Sequence, residues 1–131
     1  MAVSRRVLCI EDDPEMIELI QYVLERKGFE VLGAVGGQEG LAAVRREKPD
    51  LVLLDLMMPD IDGWEVYRQM KADRELQRIP VIVVTAKAQD IDKVLGLYVA
   101  KVDDYVTKPF GLSDLVESVE RVLKKHEEMA K

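Results

Sequence analysis

The sequence of 131 residues lacks features that are typical of disulfide-linked, membrane-spanning, secreted and nucleic acid-binding proteins. A single cysteine, Cys9, excludes an internal disulfide, and its apolar surroundings indicate a small buried side chain. No apolar run is long enough to span a membrane and no signal-peptide pattern opens the chain, so we expect a cytoplasmic protein that makes no membrane contact. Basic residues are not in excess: 25 acidic and 19 basic residues give a net charge of −6. This balance argues against direct nucleic acid binding by this domain.

The sequence does contain a regular alternation of short apolar segments and longer amphipathic ones. This pattern predicts strands at 6–10, 29–34, 51–55, 80–85 and 104–107, and helices at 14–28, 38–49, 63–73, 89–99 and 111–129. Five consecutive β-α units indicate an α/β fold, in which helices cover both faces of a mostly parallel sheet. The length suits one domain spanning 1–131, with a core at about 5–125 and a polar tail or the start of a linker at 126–131.

Polar residues stand where the predicted strands end. Ligands of such doubly wound sheets bind outside the carboxyl ends of the strands, so these residues are candidates for a site. Asp13 directly precedes Pro14, and we interpret it as the N-cap of the first helix. Asp60 and Asp62 are interpreted as turn residues. The remaining strand-end residues are Glu11, Asp12, Asp55, Thr85, Thr107 and Lys108.

The chemistry of these residue types indicates phosphoryl transfer. Glu11, Asp12 and Asp55 repel one another at a shared edge and need a cation, and hard carboxylate oxygens suit Mg²⁺. The sequence has no cluster of histidine and cysteine residues that would suit zinc. Lys108 adds a fixed positive charge and Thr85 a hydroxyl donor. Because aspartate carboxylates can accept phosphoryl groups covalently, we interpret Asp55 as the nucleophile.

The motifs that carry these residues resemble those of the receiver domain of two-component response regulators. The matching segments are VLCIEDDP, LVLLDLMMPDIDGWEV, IPVIVVTAK and DDYVTKPF, and they occur in the family's order. Each segment alone is a weak signal, whereas the four together are specific. The resemblance covers about residues 5–125 and implies a flavodoxin-like (βα)5 fold, with a five-stranded parallel sheet in the order 2-1-3-4-5.

The resemblance also implies a role for each residue of the magnesium site. Asp55 resembles the phosphoacceptor, and Glu11 and Asp12 resemble the acidic pair that holds Mg²⁺ directly or through water. Met57 matches the position whose backbone carbonyl is a metal ligand.

Other residues match positions that contact the phosphoryl group or respond to it. Thr85 and Lys108 resemble the hydroxyl and the amine that contact the phosphoryl group. Tyr105 matches the aromatic switch residue that turns inward on activation, although a tyrosine fixed in its strand is an open alternative. Pro109 is expected to follow a cis peptide bond.

The implied mechanism is phosphoryl transfer from a phosphohistidine to Asp55. The implied partners are a sensor histidine kinase or a phosphotransfer protein, and downstream an effector protein or a covalently linked output domain. Phosphorylation would draw in Thr85 and change the surface formed by the predicted helix at 89–99, the strand at 104–107 and the helix at 111–129. A weak homodimer through this surface also follows from the resemblance. The domain would then be a switch that catalyses only its own phosphorylation and dephosphorylation.

Two features depart from the family pattern. The segment GLYVAKVDDY is one residue longer than usual and has Lys101 near the expected glycine, so the register of the predicted helix at 89–99 is the least transferable part. Ser118 stands near the position where one DNA-binding subclass has a basic residue, which weakens the expectation of that subclass's dimer.

Sequence features also bear on three alternative functions. A magnesium-dependent phosphatase that forms an aspartyl phosphate typically needs a second aspartate two residues after the nucleophile, and that position is Met57. A nucleotide-binding module would need a glycine-rich phosphate loop, which the sequence lacks. A receiver-like docking scaffold that is never phosphorylated stays open.

Overall fold

The computed structural model describes residues 5–85, 102–108 and 111–130, apart from the side chains of Thr85 and Ala130. Strands and helices alternate over residues 5–85 as the sequence predicts, and the described residues after these contain a strand followed by a helix. The predicted helix at 89–99 lies outside the described residues. The strands are β1 (Arg6–Glu11), β2 (Glu30–Val35), β3 (Leu51–Asp55), β4 (Val81–Thr85) and β5 (Asp104–Thr107), and the helices are α1 (Pro14–Glu25), α2 (Gly37–Glu47), α3 (Gly63–Ala72) and α4 (Leu112–Ala130).

The five strands form one sheet in the order β2-β1-β3-β4-β5, and every neighbouring pair is parallel. The predicted flavodoxin-like strand order is thereby confirmed. Parallel pairing brings the carboxyl ends of all strands to the same edge of the sheet. In the observed register Asp55 of β3 pairs with Val84 of β4, and Thr85 pairs with Thr107 of β5. The strand ends that carry the predicted site therefore share one edge.

Each face of the sheet is covered by its own apolar cluster. One cluster joins the sheet to α2 and α3, and the other joins it to α1 and α4. The central strand β3 is consequently buried along its whole length, and Leu51–Leu54 are at most 1% exposed. Burying a leucine side chain contributes about 2 kcal/mol, so this strand is a stable support for the Asp55 that ends it.

The helix termini follow from local sequence. Asp13 caps α1 as predicted, because its carboxylate accepts a hydrogen bond of 3.0 Å from the backbone N–H of Glu15. The helix ends at Glu25, before the predicted boundary, and a turn leads to Gly28. At the end of α2, Lys48 adopts a left-handed conformation with φ of 46° directly before Pro49, which disfavours a helical residue in front of it. The described helices include no candidate for a membrane-spanning segment.

Gly63 begins α3 at the point where the chain passes closest to the end of β3. A Cβ added at Gly63 would lie 2.7 Å from the Cα of Leu56 and closer still to the carbonyl oxygen of Asp55. Both neighbours are backbone atoms, so they can yield only if the strand end is displaced. We expect Gly63→Ala to lower the free energy of unfolding by about 3 kcal/mol, measured by urea denaturation.

Gly28→Ala is the matched control. Gly28 has φ of 95° and nothing lies within 4 Å of an added Cβ, so only backbone strain of about 1 kcal/mol is expected there. Equal losses in the two variants would contradict the close approach at Gly63.

Candidate functional site

Three carboxylates meet at the carboxyl edge of the sheet. Glu11 ends β1, Asp12 follows it, and Asp55 ends β3. One carboxylate oxygen of each residue lies within 4.8 Å of the others. Glu11 and Asp55 are only 2% exposed, whereas Asp12 is open to solvent. The edge thus holds two buried acids and one accessible acid around a common point.

Lys108, directly after β5, reaches both buried acids. Its Nζ donates a hydrogen bond of 2.9 Å to Oε2 of Glu11 and lies 3.7 Å from Oδ2 of Asp55. The contact with Glu11 joins residues 97 positions apart, which the parallel strand order brings together. Lys108 therefore partly compensates the negative charge of the two buried acids.

Burial shifts the protonation equilibria at this edge. Burial, followed by the neighbouring Asp55 carboxyl, raises the pKa of Glu11 to about 8, although the hydrogen bond from Lys108 acts in the opposite direction. Burial would lower the pKa of Lys108, but the hydrogen bond and the charge of Glu11 outweigh it and raise that pKa overall. At Glu11 the effect of burial therefore outweighs that of the Lys108 ammonium group.

The same edge has the properties of a magnesium site. Oε1 of Glu11 is buried and has no hydrogen-bond partner among the described residues. Such an atom is costly unless a cation or a donor satisfies it. The available ligands are carboxylate oxygens, one of them open to water, which is the set that Mg²⁺ prefers. The residues present therefore fit Mg²⁺, with Glu11, Asp12 and Asp55 as the side chains that would hold it.

The loop after β3 orients the carboxylate of Asp55. The backbone N–H of Met57 donates a hydrogen bond of 3.0 Å to Oδ1 of Asp55, and the N–H of Gly63 donates one of 3.0 Å to the carbonyl of Leu56. Oδ1 is therefore held by the loop, while Oδ2 lies on the side of Lys108. The side chain of Met57 is 48% exposed, and the ligand role of its carbonyl stays a prediction.

The other predicted site residues lie on β4 and β5 or are outside the described residues. Thr85 ends β4 next to the Asp55 position, but its side chain is outside the described structure, as is Pro109 with its predicted cis bond. Tyr105 lies in β5 with 47% of its surface exposed, so its ring is not turned into the core here. Cys9 is a small buried residue as expected, and burial raises the pKa of its thiol to about 12.

The interpretation of Asp60 and Asp62 as turn residues is incomplete. Asp62 is the N-cap of α3 and accepts a hydrogen bond of 2.9 Å from the backbone N–H of Glu65. Asp60 accepts hydrogen bonds from the backbone N–H groups of Gly37 (3.0 Å) and Gln38 (2.9 Å) at the start of α2. Sequence reasoning missed this contact because its partners are 22 and 23 residues away.

Ser118 also has a partner on β5. It is 2% exposed, and its hydroxyl donates a hydrogen bond of 2.5 Å to Oδ2 of Asp104. The same oxygen accepts a hydrogen bond from the guanidinium of Arg121. Position 118 therefore has a serine instead of a basic residue. Arg121 lies about one helical turn later, and its charge is paired with Asp104 of the same chain.

Comparison with known proteins places these features in a family. The chain matches the family model of the response regulator receiver domain over residues 7–120. It is 39% identical over 124 residues to the alkaline phosphatase synthesis transcriptional regulatory protein PhoP of Bacillus subtilis (strain 168), an alignment that covers 95% of this chain and 50% of PhoP. The chain therefore spans about half the length of this curated relative.

Solved structures share the fold. A CheY-like response regulator receiver domain protein from Methanospirillum hungatei JF-1 is 31% identical, with 97% of this chain and 99% of that chain covered and a TM-score of 0.87. The N-terminal domain of a response regulator receiver protein from Methanoculleus marisnigri JR1 is 36% identical, with 91% and 96% covered and a TM-score of 0.74.

The Asp60 contact predicts a pH-dependent contribution to stability. The hydrogen bonds from the backbone of Gln38 and Gly37 lower the pKa of Asp60 from 3.8 to about 2. Because the folded-state pKa lies below the unfolded one, this contribution is complete above about pH 4 and is lost as the pH falls towards 2. We expect Asp60→Ala to be less stable than wild type at pH 7, with a difference that shrinks between pH 4 and pH 2. Urea denaturation across this range measures it, and a constant difference would contradict it.

Lys108 predicts a stability effect that depends on Mg²⁺. Lys108→Met leaves the acids of Glu11 and Asp55 without their cation, which should lower the free energy of unfolding by about 1–3 kcal/mol in metal-free buffer. Saturating Mg²⁺ should reduce this loss, because a divalent cation then compensates the same acids. Urea denaturation with EDTA and with Mg²⁺ measures both values.

Lys71→Met is the matched control for this experiment. Lys71 Nζ donates a hydrogen bond of 2.9 Å to the carbonyl of Gln77, away from the three acids. Lys71→Met should lower the free energy of unfolding by the same amount with and without Mg²⁺. If Lys108→Met also behaved in this way, the proposed link between the lysine and the cation would be wrong.

Proposed function

This chain belongs to the response regulator receiver domain family of two-component systems, and from that membership we propose that Asp55 accepts a phosphoryl group in a magnesium-dependent reaction. The observation that carries the proposal is the meeting of Glu11, Asp12 and Asp55 within 4.8 Å, with Lys108 Nζ placed against two of them. Buried acids next to a fixed ammonium group suit phosphoryl transfer, in which catalysis consists of positioning and charge compensation.

The reaction begins with the carboxylate of Asp55 as nucleophile. One of its oxygens forms a bond to phosphorus, while the bond between phosphorus and the nitrogen of the donor histidine breaks and the imidazole leaves. The Met57 N–H fixes the carboxylate through Oδ1, so its orientation is set before the donor arrives. Lys108 lies next to Oδ2 and compensates charge on the incoming phosphoryl oxygens. Bound Mg²⁺ would supply further charge compensation, held by Glu11, Asp12, Asp55 and the Met57 carbonyl.

The remaining roles follow the family pattern. We assign Thr85 as the hydroxyl that contacts the phosphoryl group and Tyr105 as the residue that responds to it. The surface formed by the predicted helix at 89–99, β5 and α4 would then change its conformation and pass on the signal. Tyr105 is half exposed, as expected of a switch residue that has not turned inward.

We propose a sensor histidine kinase or phosphotransfer protein as donor, and an effector protein or a linked domain as output. The linked form is supported by PhoP of Bacillus subtilis, a transcriptional regulatory protein of about twice this length. We propose that the domain acts in the cytoplasm as a switch and not as an enzyme on a separate substrate. A phosphatase-type reaction would need an acid at Met57, whose thioether cannot transfer a proton.

Phosphorylation of Asp55 can be tested directly by mass spectrometry. Incubation with Mg²⁺ and acetyl phosphate should increase the mass of the wild-type protein by one phosphoryl group. Asp55→Asn should show no gain, because an amide oxygen is a far weaker nucleophile than a carboxylate. EDTA should abolish the gain in the wild type.

Asp73→Asn is a suitable control, because the side chain of Asp73 accepts a hydrogen bond from Glu75 N–H in the turn after α3, outside the candidate site. It should be phosphorylated like the wild type. A mass gain that persists in Asp55→Asn would reject Asp55 as acceptor, and no gain in the wild type would favour the non-phosphorylated docking scaffold.

A further inference from the structure

The loop that follows Asp55 is tied to a helix that contributes no residue to the site. Both carboxylate oxygens of Asp60 are used: Oδ1 accepts from Gly37 N–H at 3.0 Å and Oδ2 from Gln38 N–H at 2.9 Å. A single side chain thus holds the first turn of α2 in a fixed orientation. We propose that Asp60 is a positioning residue that fixes the loop after Asp55, which belongs to one of the two halves of the magnesium site, relative to the other half.

The two halves are defined by the strands that carry them. The first consists of Glu11 and Asp12 at the end of β1, and the second of Asp55 and Met57 at the end of β3 and in the loop after it. The inference rests on the proposed function, in which these residues hold Mg²⁺. It concerns Asp60, which lies three residues beyond Met57 and has no ligand role of its own.

Three hydrogen bonds, joined by short backbone segments, connect the halves through the start of α2. From Asp60 the connection passes to Gly37, and the neighbouring Gly36 N–H donates a hydrogen bond of 3.0 Å to the main-chain carbonyl of Glu11. On the other side, Met57 N–H is bonded to the carboxylate of Asp55. The start of α2 is therefore fixed to both halves of the site at once.

The sequence at the start of α2 is adapted to this contact. Gly36, the N-cap residue, has φ of 94° and offers no side chain for capping, so α2 lacks a cap of its own. A Cβ on Gly36 would lie 3.2 Å from Oδ2 of Asp60, and one on Gly37 would lie 2.9 Å from the carbonyl oxygen of Ile61. The loop and the helix approach so closely that side chains at these positions would push them apart.

Helix capping alone does not account for this arrangement. Asp13 and Asp62 cap α1 and α3 from the adjacent position, and each bonds to an N–H two or three residues further on. Asp60 instead caps α2 from a different loop, 22 and 23 residues away. Such a contact fixes the relative position of two chain segments, which a local cap cannot do.

The inference predicts a change in magnesium affinity that is separate from stability. In Asp60→Ala the loop that carries the Met57 carbonyl is no longer held against α2, although β3 keeps Asp55 next to β1. The dissociation constant for Mg²⁺ should therefore rise about tenfold, as for other residues that orient metal ligands. Asp60→Asn keeps one acceptor oxygen and should give an intermediate value. Amide NMR titration with MgCl2 measures the constants, at a temperature where urea denaturation finds every variant fully folded.

Asp73→Ala serves as the matched control, because it also removes an aspartate that accepts a backbone N–H, but in the turn after α3. It should lower stability without changing magnesium affinity. Wild-type affinity in a folded Asp60→Ala protein, or equal affinity in Asp60→Ala and Asp73→Ala, would overturn the inference while leaving the proposed function intact. If the wild type bound no Mg²⁺, the metal site of the proposed function would fail as well.

Discussion

The repulsion between two buried carboxylates is the constraint on which the rest of this edge depends. Glu11 and Asp55 are almost fully withdrawn from water, and their oxygens lie within 4.8 Å of each other. At this separation two like charges repel by roughly 3 kcal/mol at an intermediate dielectric constant. Lys108 compensates part of this repulsion, whereas burial, followed by the neighbouring Asp55 carboxyl, raises the pKa of Glu11. The fold tolerates this pair because the central strand is buried on both faces and cannot swing its last residue outward.

The strand topology therefore determines which residues meet at the candidate site. In a parallel sheet the carboxyl ends of β1, β3, β4 and β5 must lie on one edge, so polar residues at these ends are brought together whatever their separation along the chain. This is why alternating segments and strand-end residues were enough to predict that Glu11, Asp12 and Asp55 meet, whereas the strand order was implied by the resemblance to receiver domains. The N-cap role of Asp13 was equally predictable, because a cap and its partner are close in sequence.

Some contacts could not be predicted from the sequence. They join elements that are distant along the chain, and no general rule of the fold brings these elements together. The segment PDIDG reads as a turn, and nothing local indicates that Asp60 bonds to α2. The pairing of Asp104 with Ser118 and Arg121 is similar, since it depends on how α4 is rotated against β5. The length of the hydrogen bond from Lys108 to Glu11 was not predictable from the sequence either, although the topology had already placed both residues at one edge.

Charge balance explains why the lysine and a divalent cation suit this site together. The three carboxylates carry three negative charges when ionised, and one ammonium group with one Mg²⁺ carries three positive charges. Lys108 contacts Oε2 of Glu11 and lies near Oδ2 of Asp55, while Oε1 of Glu11 has no partner among the described residues. The lysine and a cation would therefore use different oxygens and need not compete. A site neutral in this state can receive an anionic phosphoryl group with little added repulsion, provided that the loop after Asp55 keeps its ligands in place.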